Sequence, residues 1–416
     1  MRRAIASLII VGVAVTPLAG ARASSSAQAD WRAQVSELLE RRAAAVRAND
    51  EPAFMATMAG APEAFRVDRR TWFRRMQVLP IGRYALLLAP HSYDDLSPAL
   101  ARRPAGDDVH VVEVIEQIGF TGYDRRPAQE SLFLTVVRRG QRWHVHSDSD
   151  LDDLGLLSAR SMWDFAPVER VERGGVMVFH QSSASSAERI LSSTLDAIGR
   201  VRRSWPLPWR ARVIVMIPRS ARDLQRILAT TIDLGPFVAF AASSVERDAR
   251  GGYALVGSRI FVQPDTFFGY AESFQDDTLG HEMLHFATRH LAGGWTTSWL
   301  EEGVAQVYGE RSFPALAELR AQASRVRGLP DDHRFFIGSR DSIHLSYEAS
   351  AHFTAFLQDR YDDEEIARFY EAVGAESPVS FGTDRYHLDR AARATLDVGF
   401  DALERRWVER VREEFS

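Results

Sequence analysis

Residues 280–306 read GHEMLHFATRHLAGGWTTSWLEEGVAQ, and the first half of this stretch predicts a helix. We expect the helix to begin near Asp276 and to end at Gly293-Gly294, since glycine just past the last periodic residue stops a helix. His281 and His285 are four residues apart on it, so their imidazoles lie on the same face, one turn apart. This spacing brings two histidines within reach of a common ligand.

A pair of histidines at this spacing can bind one metal ion. Glu282 projects about 100° around the helix from His281, which is too far round for a third ligand of the pair. It can instead reach water beside the ion and act as a general base. The alternative is two structural histidines beside an incidental glutamate. A third ligand at the right distance would decide between these interpretations.

Two kinds of third ligand occur nearby. His290 is excluded, because the three-histidine zinc pattern places its last histidine at position 291, where this chain has leucine. Glu301 and Glu302 follow Ser298, a good N-cap, and so fall in the first turn of a second helix. Adjacent helical residues point about 100° apart, so at most one glutamate faces the histidines. Both could also be capping charges that favour the helix dipole, and the local pattern does not choose.

His-Glu-x-x-His followed by Trp-Leu-Glu-Glu-Gly resembles the gluzincin metallopeptidases, the clan of thermolysin and aminopeptidase N. Matched on Trp299, Leu300 and Gly303, the resemblance implies that Glu302 is the glutamate ligand of a Zn²⁺ ion, with Glu301 left as a capping or supporting charge. The segment LSYEASAHFTAFL matches at Tyr347, where these enzymes have a tyrosine that opens a helix. That tyrosine would donate a hydrogen bond to the oxyanion of the reaction; its alternative role is that of a core aromatic.

The chain departs from the gluzincin pattern in two places. No Gly-x-Met-Glu-Asn segment precedes the histidines, so the usual anchor for a substrate's free amino group is missing. Gln306 stands where thermolysin-like enzymes have an aspartate that supports a ligand, so this support must come from elsewhere. The first departure favours an endopeptidase over an aminopeptidase.

The resemblance implies a zinc-dependent peptidase in which Glu282 takes the proton of the attacking water and Tyr347 shares the oxyanion charge. From its position, the strand RIFVQ before His281 is expected to be an edge strand that pairs with an extended peptide or protein substrate. Two other functions stay open. One is an extracellular binding protein that keeps the zinc fold without useful catalysis, and the other is a zinc hydrolase of non-peptide amides.

Composition excludes several other kinds of chemistry. The chain has 416 residues, no cysteine and no lysine, which removes thiolate metal sites, thiol nucleophiles and Schiff-base mechanisms. The net charge is only -5, without long runs of one sign, so nucleic-acid binding is not expected. A chain of this length favours two domains. The oligomeric state does not follow from the sequence.

The first residues have the layout of a secretory signal peptide. Arg2 and Arg3 precede an apolar run, and the small-residue sequence Ala21-Arg22-Ala23 follows it. We expect residues 1–23 to be the signal peptide, with cleavage after Ala23, and residues 24–30 to be a linker. The run is too short to span a bilayer and no later segment is apolar enough, so a secreted or periplasmic protein without a stable membrane span is expected.

Residues 31–155 are predicted to form an α+β domain with helices first and an antiparallel sheet after them. Residues 31–48 and 52–58 have helical patterns, whereas 109–120 and 130–148 have strand composition, with a turn at Gly140-Gln141. The layout resembles the cone-shaped nuclear transport factor-like domains. The aspartate-rich segment 148–153 departs from the calcium-loop pattern and is predicted to be a solvated turn.

Residues 165–416 are predicted to form a second domain, a small sheet leading into a helical body. The strands are expected at VMVFHQ, RVIVMIP and YALVGSRIFVQP, with helices at 185–205 and 221–229. From Phe274 onward nearly everything is expected to be helical. The chain as a whole is therefore assigned to the α+β class, and the resemblance of the motif implies that its second domain is gluzincin-like.

Overall fold

The computed structural model describes residues 26–94, 108–231, 234–235, 237–247, 253–293, 296–375 and 385–415. It shows a mixed α+β protein with two sheets, which confirms the α+β part of the predicted fold class. Contacts divide the chain into two compact units. The N-terminal unit is the described part of Gly12–Glu169 together with Arg222–Asp233; the C-terminal unit contains Arg170–Ala221 and Leu234–Ser416. Residues 222–233 therefore cluster with the N-terminal unit rather than with the remainder of 165–416.

The helices are α1 (Ser26–Arg47), α2 (Glu51–Ala56), α3 (Glu63–Met76), α4 (Met162–Phe165), α5 (Ala184–Ser204), α6 (Ala221–Ile227), α7 (Pro264–Phe267), α8 (Glu272–Thr288), α9 (Ser298–Gly309), α10 (Ala317–Gln322), α11 (Arg340–Gln358), α12 (Asp363–Ala375), α13 (Arg385–Leu396) and α14 (Phe400–Phe415). The strands are β1 (Ile81–Ser92), β2 (Val109–Phe120), β3 (Ala128–Arg139), β4 (Arg142–Ser147), β5 (Glu169–Arg173), β6 (Val176–His180), β7 (Val213–Ile217), β8 (Ala239–Arg247) and β9 (Tyr253–Val262).

In the N-terminal unit, strands β1 to β4 form an antiparallel meander in sequence order. The predicted turn is confirmed: Gly140 has a φ of 61° between β3 and β4, a backbone region that glycine adopts without steric cost. Helix α1 packs on β1 and β4. It begins at Ser26, so residues 26–30 of the predicted linker are helical, whereas the predicted signal peptide lies outside the described residues.

The aspartate-rich segment is not a solvated turn at its first residue. Asp148 is buried, and both of its carboxylate oxygens accept hydrogen bonds from Arg160, at 2.6 and 3.0 Å. Arg69 is a second cation beside it, at 3.6 Å. Just past β4, the backbone turns Asp148 toward these two arginines, and the ion pair offsets the cost of burying the carboxylate. The prediction of a solvated turn was wrong for Asp148.

In the C-terminal unit, five strands form a mixed sheet in the order β5-β6-β7-β9-β8. Strands β6, β7 and β9 are parallel, and β8 is antiparallel to β9. Every residue of β6 and of β7 is buried, which explains why VMVFH and VIVMI are almost continuously apolar. Strand β8 lies at one edge of the sheet, and helix α8 packs against it and against β9.

Close backbone contacts at two glycines fix the spacing of the helices beside the sheet. A Cβ atom on Gly280 of α8 would lie 2.2 Å from the carbonyl oxygen of Gly309, at the end of α9. A Cβ atom on Gly303 of α9 would lie 2.4 Å from the carbonyl oxygen of Ser350 on α11. Only glycine allows backbones to approach so closely. The three helices are thereby held side by side, and the residues between these contacts form the site described next.

Candidate metal centre

Helix α8 supplies three side chains of the site. It runs from Glu272 to Thr288, so it begins one turn earlier and ends sooner than predicted from Asp276 and Gly293-Gly294. His281 and Glu282 are fully buried and His285 is 1% exposed. Burial of three ionisable groups on one helix is costly unless they are paired or bind an ion.

Helix α9 supplies a fourth side chain, Glu302. The helix begins at Ser298 with Thr297 in the N-cap position, so the predicted N-cap was wrong by one residue. The backbone N–H of Ser298 is inside the first turn and donates to Asp332 Oδ1 at 2.7 Å, which satisfies one of the free N–H groups there. Glu302 is 2% exposed and faces α8.

Among the described residues, His281, His285 and Glu302 form a group whose potential ligand atoms all lie within 4.8 Å of one another. Glu302 Oε2 lies 3.0 Å from His281 Nε2 and 3.6 Å from His285 Nε2, and the two Nε2 atoms are 3.1 Å apart. Bonds of about 2.0–2.1 Å in a tetrahedron separate neighbouring ligands by roughly 3.3 Å. The three atoms therefore have the spacing that a small tetrahedral ion requires, and they could hold a metal.

Glu310 supports this group and was missed from the sequence. Its Oε1 accepts a hydrogen bond from His281 Nδ1 at 3.0 Å. Such a bond fixes the ring so that Nε2 is directed toward Glu302 and His285. Glu310 is the C-cap of α9, eight positions after Glu302, and no sequence-spacing rule predicts its role. Glu310 is an anionic hydrogen-bond partner for His281, a role that the neutral side chain of Gln306 cannot fill.

When no metal is bound, His281 is protonated and Glu302 is ionised, so the two side chains form an ion pair. Burial alone would lower the pKa of His281, but hydrogen bonds to Glu302 and Glu310 raise it to about 10. Burial alone would raise the pKa of Glu302, but His285 and His281 lower it to about 2. Burial lowers the pKa of His285 to about 4, so this ring is neutral near pH 7. An ion entering the group must therefore displace a proton from His281.

Glu282 stays apart from the three grouped side chains, as its helical position predicts. In the described part of the chain, neither carboxylate oxygen makes a hydrogen bond within the usual distance and angle limits. Burial raises the pKa of Glu282 to about 8, and the charge of His281 and the nearby backbone N–H of Ala241 oppose this rise only in part. A carboxyl group with unpaired oxygens and a pKa near neutrality is suited to accept and return a proton.

Glu301 faces the other way and is not an exposed capping charge. It is 3% exposed and lies 3.4 Å from Arg289 Nη1. The other terminal nitrogen of Arg289 donates to the carbonyl oxygen of Ala241 on β8 at 2.9 Å. Burial raises the pKa of Glu301 to about 7. This glutamate therefore helps to join α9, α8 and the edge strand, and takes no part in the histidine group.

Tyr347 reaches the site, although not from the start of a helix. Helix α11 begins at Arg340 with Ser339 as its N-cap, so Tyr347 lies in the third turn and the predicted helix-opening position was wrong. The side chain is 4% exposed, and its hydroxyl has no hydrogen-bond partner among the described residues. Burial, together with Glu302 and Glu282, raises its pKa well above the usual value. The hydroxyl is therefore a neutral donor near both carboxylates.

His290 is exposed just after α8 and is not part of the group, as the sequence predicted.

The predicted role of RIFVQ as an edge strand needs a correction. RIFVQ belongs mainly to β9, which pairs with β7 on one side and β8 on the other, so it is not an edge strand. The edge beside α8 is β8, whose sequence AFAASSVER is too rich in alanine and serine to have been recognised as a strand.

A cleft of about 510 Å³ lies beside the centre and is lined by residues of α8, α9, α10 and α11, among them Gln306, Glu310 and Tyr347. This volume is within the usual range for sites that bind small molecules or side chains.

Within the described residues, no helix combines the length and apolarity needed to cross a membrane. No protein-family model matches the chain, and no curated protein matches it significantly.

Proposed function

We propose that this protein is a zinc metallopeptidase that hydrolyses peptide bonds within a chain. The observation that carries the proposal is the convergence of His281, His285 and Glu302 at tetrahedral spacing, with the buried carboxyl group of Glu282 near enough to feel the charges of His281 and Glu302. Zn²⁺ fits this donor set, since two imidazoles and one carboxylate leave a fourth position open for chemistry. A bound Zn²⁺ ion would polarise a carbonyl group and acidify water.

The side chains of this chain supply the proton transfers and the charge stabilisation. Glu282 takes the proton of the attacking water and passes it to the leaving amine. Burial raises its pKa to about 8 in the metal-free protein, and the charge of a bound cation would lower it, so the group would start as the carboxylate and hold the proton between the two steps. Tyr347 donates a hydrogen bond to the oxyanion; its buried hydroxyl is otherwise without an acceptor in the described residues.

The edge strand β8 is the proposed docking place for the substrate backbone. Ala241 on β8 has its carbonyl held by Arg289 and its N–H directed to the neighbourhood of Glu282, so this strand passes directly beside the base. Because both main-chain groups of Ala241 are already engaged, an extended peptide would add to neighbouring residues of β8 by main-chain hydrogen bonds and bring its carbonyl groups past the metal centre. This replaces the role that the sequence had suggested for RIFVQ.

The proposal includes membership of the gluzincin clan, because residues 281–303 resemble its motif and Tyr347 matches its tyrosine. The missing Gly-x-Met-Glu-Asn segment favours an endopeptidase over an aminopeptidase. We also propose that the N-terminal unit is a cone-shaped nuclear transport factor-like domain, because α1 packs on both β1 and β4 of its antiparallel sheet. Secretion or export to the periplasm, with removal of residues 1–23, completes the proposal.

The test combines metal analysis with hydrolysis of peptides blocked at both ends. We expect one zinc per chain, internal cleavage of casein or of quenched blocked peptides, loss of cleavage on chelation and recovery on adding zinc back. Release of only free amino-terminal residues would overturn the endopeptidase assignment. Stoichiometric zinc without cleavage of any peptide would refute the peptidase proposal and leave a binding protein or a non-peptide amide hydrolase.

A further inference from the structure

The cleft next to the metal centre is acidic. Four carboxyl groups line it, those of Asp277, Glu310, Glu318 and Glu348, and no arginine is among its described lining residues. His344 is the only histidine among the described lining residues, and burial together with the charge of Arg340 lowers its pKa, which disfavours its charged form. A concave wall with charges of one sign concentrates the field inside it and attracts the opposite charge.

Gln306 gives the cleft an independent polar feature. Its side chain is only 8% exposed, yet Oε1 is buried without a hydrogen-bond donor among the described residues. A buried amide oxygen without a donor costs free energy that a ligand with N–H groups recovers. Gln306 lies one turn after Glu302 on α9, so this free acceptor is close to the metal ligands.

Glu348 is held in place on the same wall. Its Oε2 accepts the backbone N–H of Leu319, in the first turn of α10, at 2.9 Å. Burial raises the pKa of Glu348, and the charge of Glu318 adds to this rise. A positively charged group in the cleft would oppose both effects, since it stabilises the ionised carboxylates.

We propose that this cleft binds a positively charged side chain of the substrate, arginine or lysine, close to the bond that is cut. The proposal rests on the proposed peptidase function and adds its substrate class. Gln306 Oε1 accepts an N–H bond from the cationic group, and Glu318 and Glu348 supply the negative charge. The cleft is far larger than one ion needs and fits a long side chain.

The test compares blocked quenched peptides that differ only in arginine or citrulline at one position. Citrulline keeps the length and planarity of arginine but carries no charge. At the position that enters the cleft, we expect kcat/KM to favour arginine by about tenfold or more at low salt, the effect of one charge-assisted hydrogen bond. The preference should fall as salt is added. Equal cleavage of both peptides at every position would overturn the proposal.

Variants assign the preference to this cleft. Glu318→Gln with Glu348→Gln removes two charges and keeps an acceptor for Leu319, and Gln306→Met removes the amide oxygen at similar size. The double glutamine variant should reduce the arginine preference about tenfold while cleavage of the citrulline peptide changes little, whereas Gln306→Met should slow cleavage of both peptides, because the ureido group of citrulline also has N–H donors. Glu371→Gln removes an exposed charge that does not line the cleft and serves as the matched control. An unchanged preference in the double glutamine variant would contradict the proposal.

A binding measurement separates this proposal from the peptidase function. The Glu282→Gln variant is titrated with the labelled arginine peptide and its citrulline counterpart, and fluorescence anisotropy is recorded. Tighter binding of arginine that depends on Glu318 and Glu348 supports the cleft even if wild-type protein cuts neither peptide. Cleavage without this difference in binding or rate means that the peptidase proposal stands and the cationic cleft fails.

Discussion

Glu310 accepts a hydrogen bond from His281 Nδ1 at 3.0 Å, while the opposite nitrogen of the same ring lies 3.0 Å from Glu302. The two carboxylates thus hold one imidazole from both sides. Glu310 orients the ring and increases its basicity, and Glu302 stands with it in the group that could bind the ion. Glu310, at the end of α9, therefore sets the orientation of the candidate metal centre through His281.

Removing the support of His281 should weaken metal binding without abolishing it. We expect Glu310→Ala to reduce zinc affinity roughly 10- to 100-fold, as measured by competition with a chromophoric chelator. Glu310→Gln can still accept the Nδ1 hydrogen bond and should lose less. If Glu310→Ala binds zinc as tightly as wild type, the hydrogen bond does not contribute to the centre.

Replacement by glutamine should change zinc retention very differently at the two adjacent glutamates, Glu301 and Glu302. Glu302→Gln replaces the proposed carboxylate ligand, so zinc should be lost on dialysis against a mild chelator. Glu301→Gln should keep zinc, because that side chain faces Arg289 instead of the histidines. The measurement is zinc per chain after dialysis. Loss of zinc from the Glu301 variant alone would reverse the assignment.

Zinc affinity should rise with pH between about 6 and 8. The pKa of His281 is raised to about 10 in the metal-free protein, so zinc must displace its proton throughout this window. His285 is already neutral and Glu302 already ionised there. One displaced proton corresponds to about tenfold in affinity per pH unit. Calorimetry in buffers of different ionisation enthalpy should show at least one proton released, because Glu282 is also largely protonated in the metal-free protein, and a value of zero would contradict this charge state.

Tyr347→Phe should separate catalysis from stability. The loss of one oxyanion donor is expected to lower kcat about 10²- to 10³-fold with zinc retained. The same change removes a buried hydroxyl without a partner in the described residues, so the folded state should gain about 1 kcal/mol. Thermal unfolding and steady-state kinetics measure the two effects. A stabilised variant with unchanged kcat would assign Tyr347 to the core alone.

Elements with a strong local pattern were predictable from the sequence. Strand β2 occupies residues 109–120 as predicted, and α5, β6 and β7 agree within about a residue at each end. Strand β8 was missed because alanine and serine have low strand propensity, and its pairing with β9 determines its conformation. Strand β1 and helix α3 were also missed. Local pattern thus identified elements that bury a regular apolar face, and tertiary contacts determined the rest.

At the site, the spacing of His281 and His285 was sufficient to group them, because helix geometry alone fixes their relation. The choice between Glu301 and Glu302 required the rotation of α9, which the contact of Gly303 with α11 helps to set. Glu310 and Gln306 could not be found, since their roles depend on how α8 and α9 cross. The acidic cleft likewise consists of residues from four helices that are distant in sequence.

The most direct test of the proposed function is the cleavage rate of Glu282→Gln when it carries the same zinc content as wild type. Glutamine keeps the size of the side chain but cannot take a proton, so we predict one zinc per chain and a fall in kcat of roughly 10²- to 10⁴-fold. Equal cleavage by the two zinc-loaded proteins would contradict Glu282 as the base and, with it, the proposed mechanism.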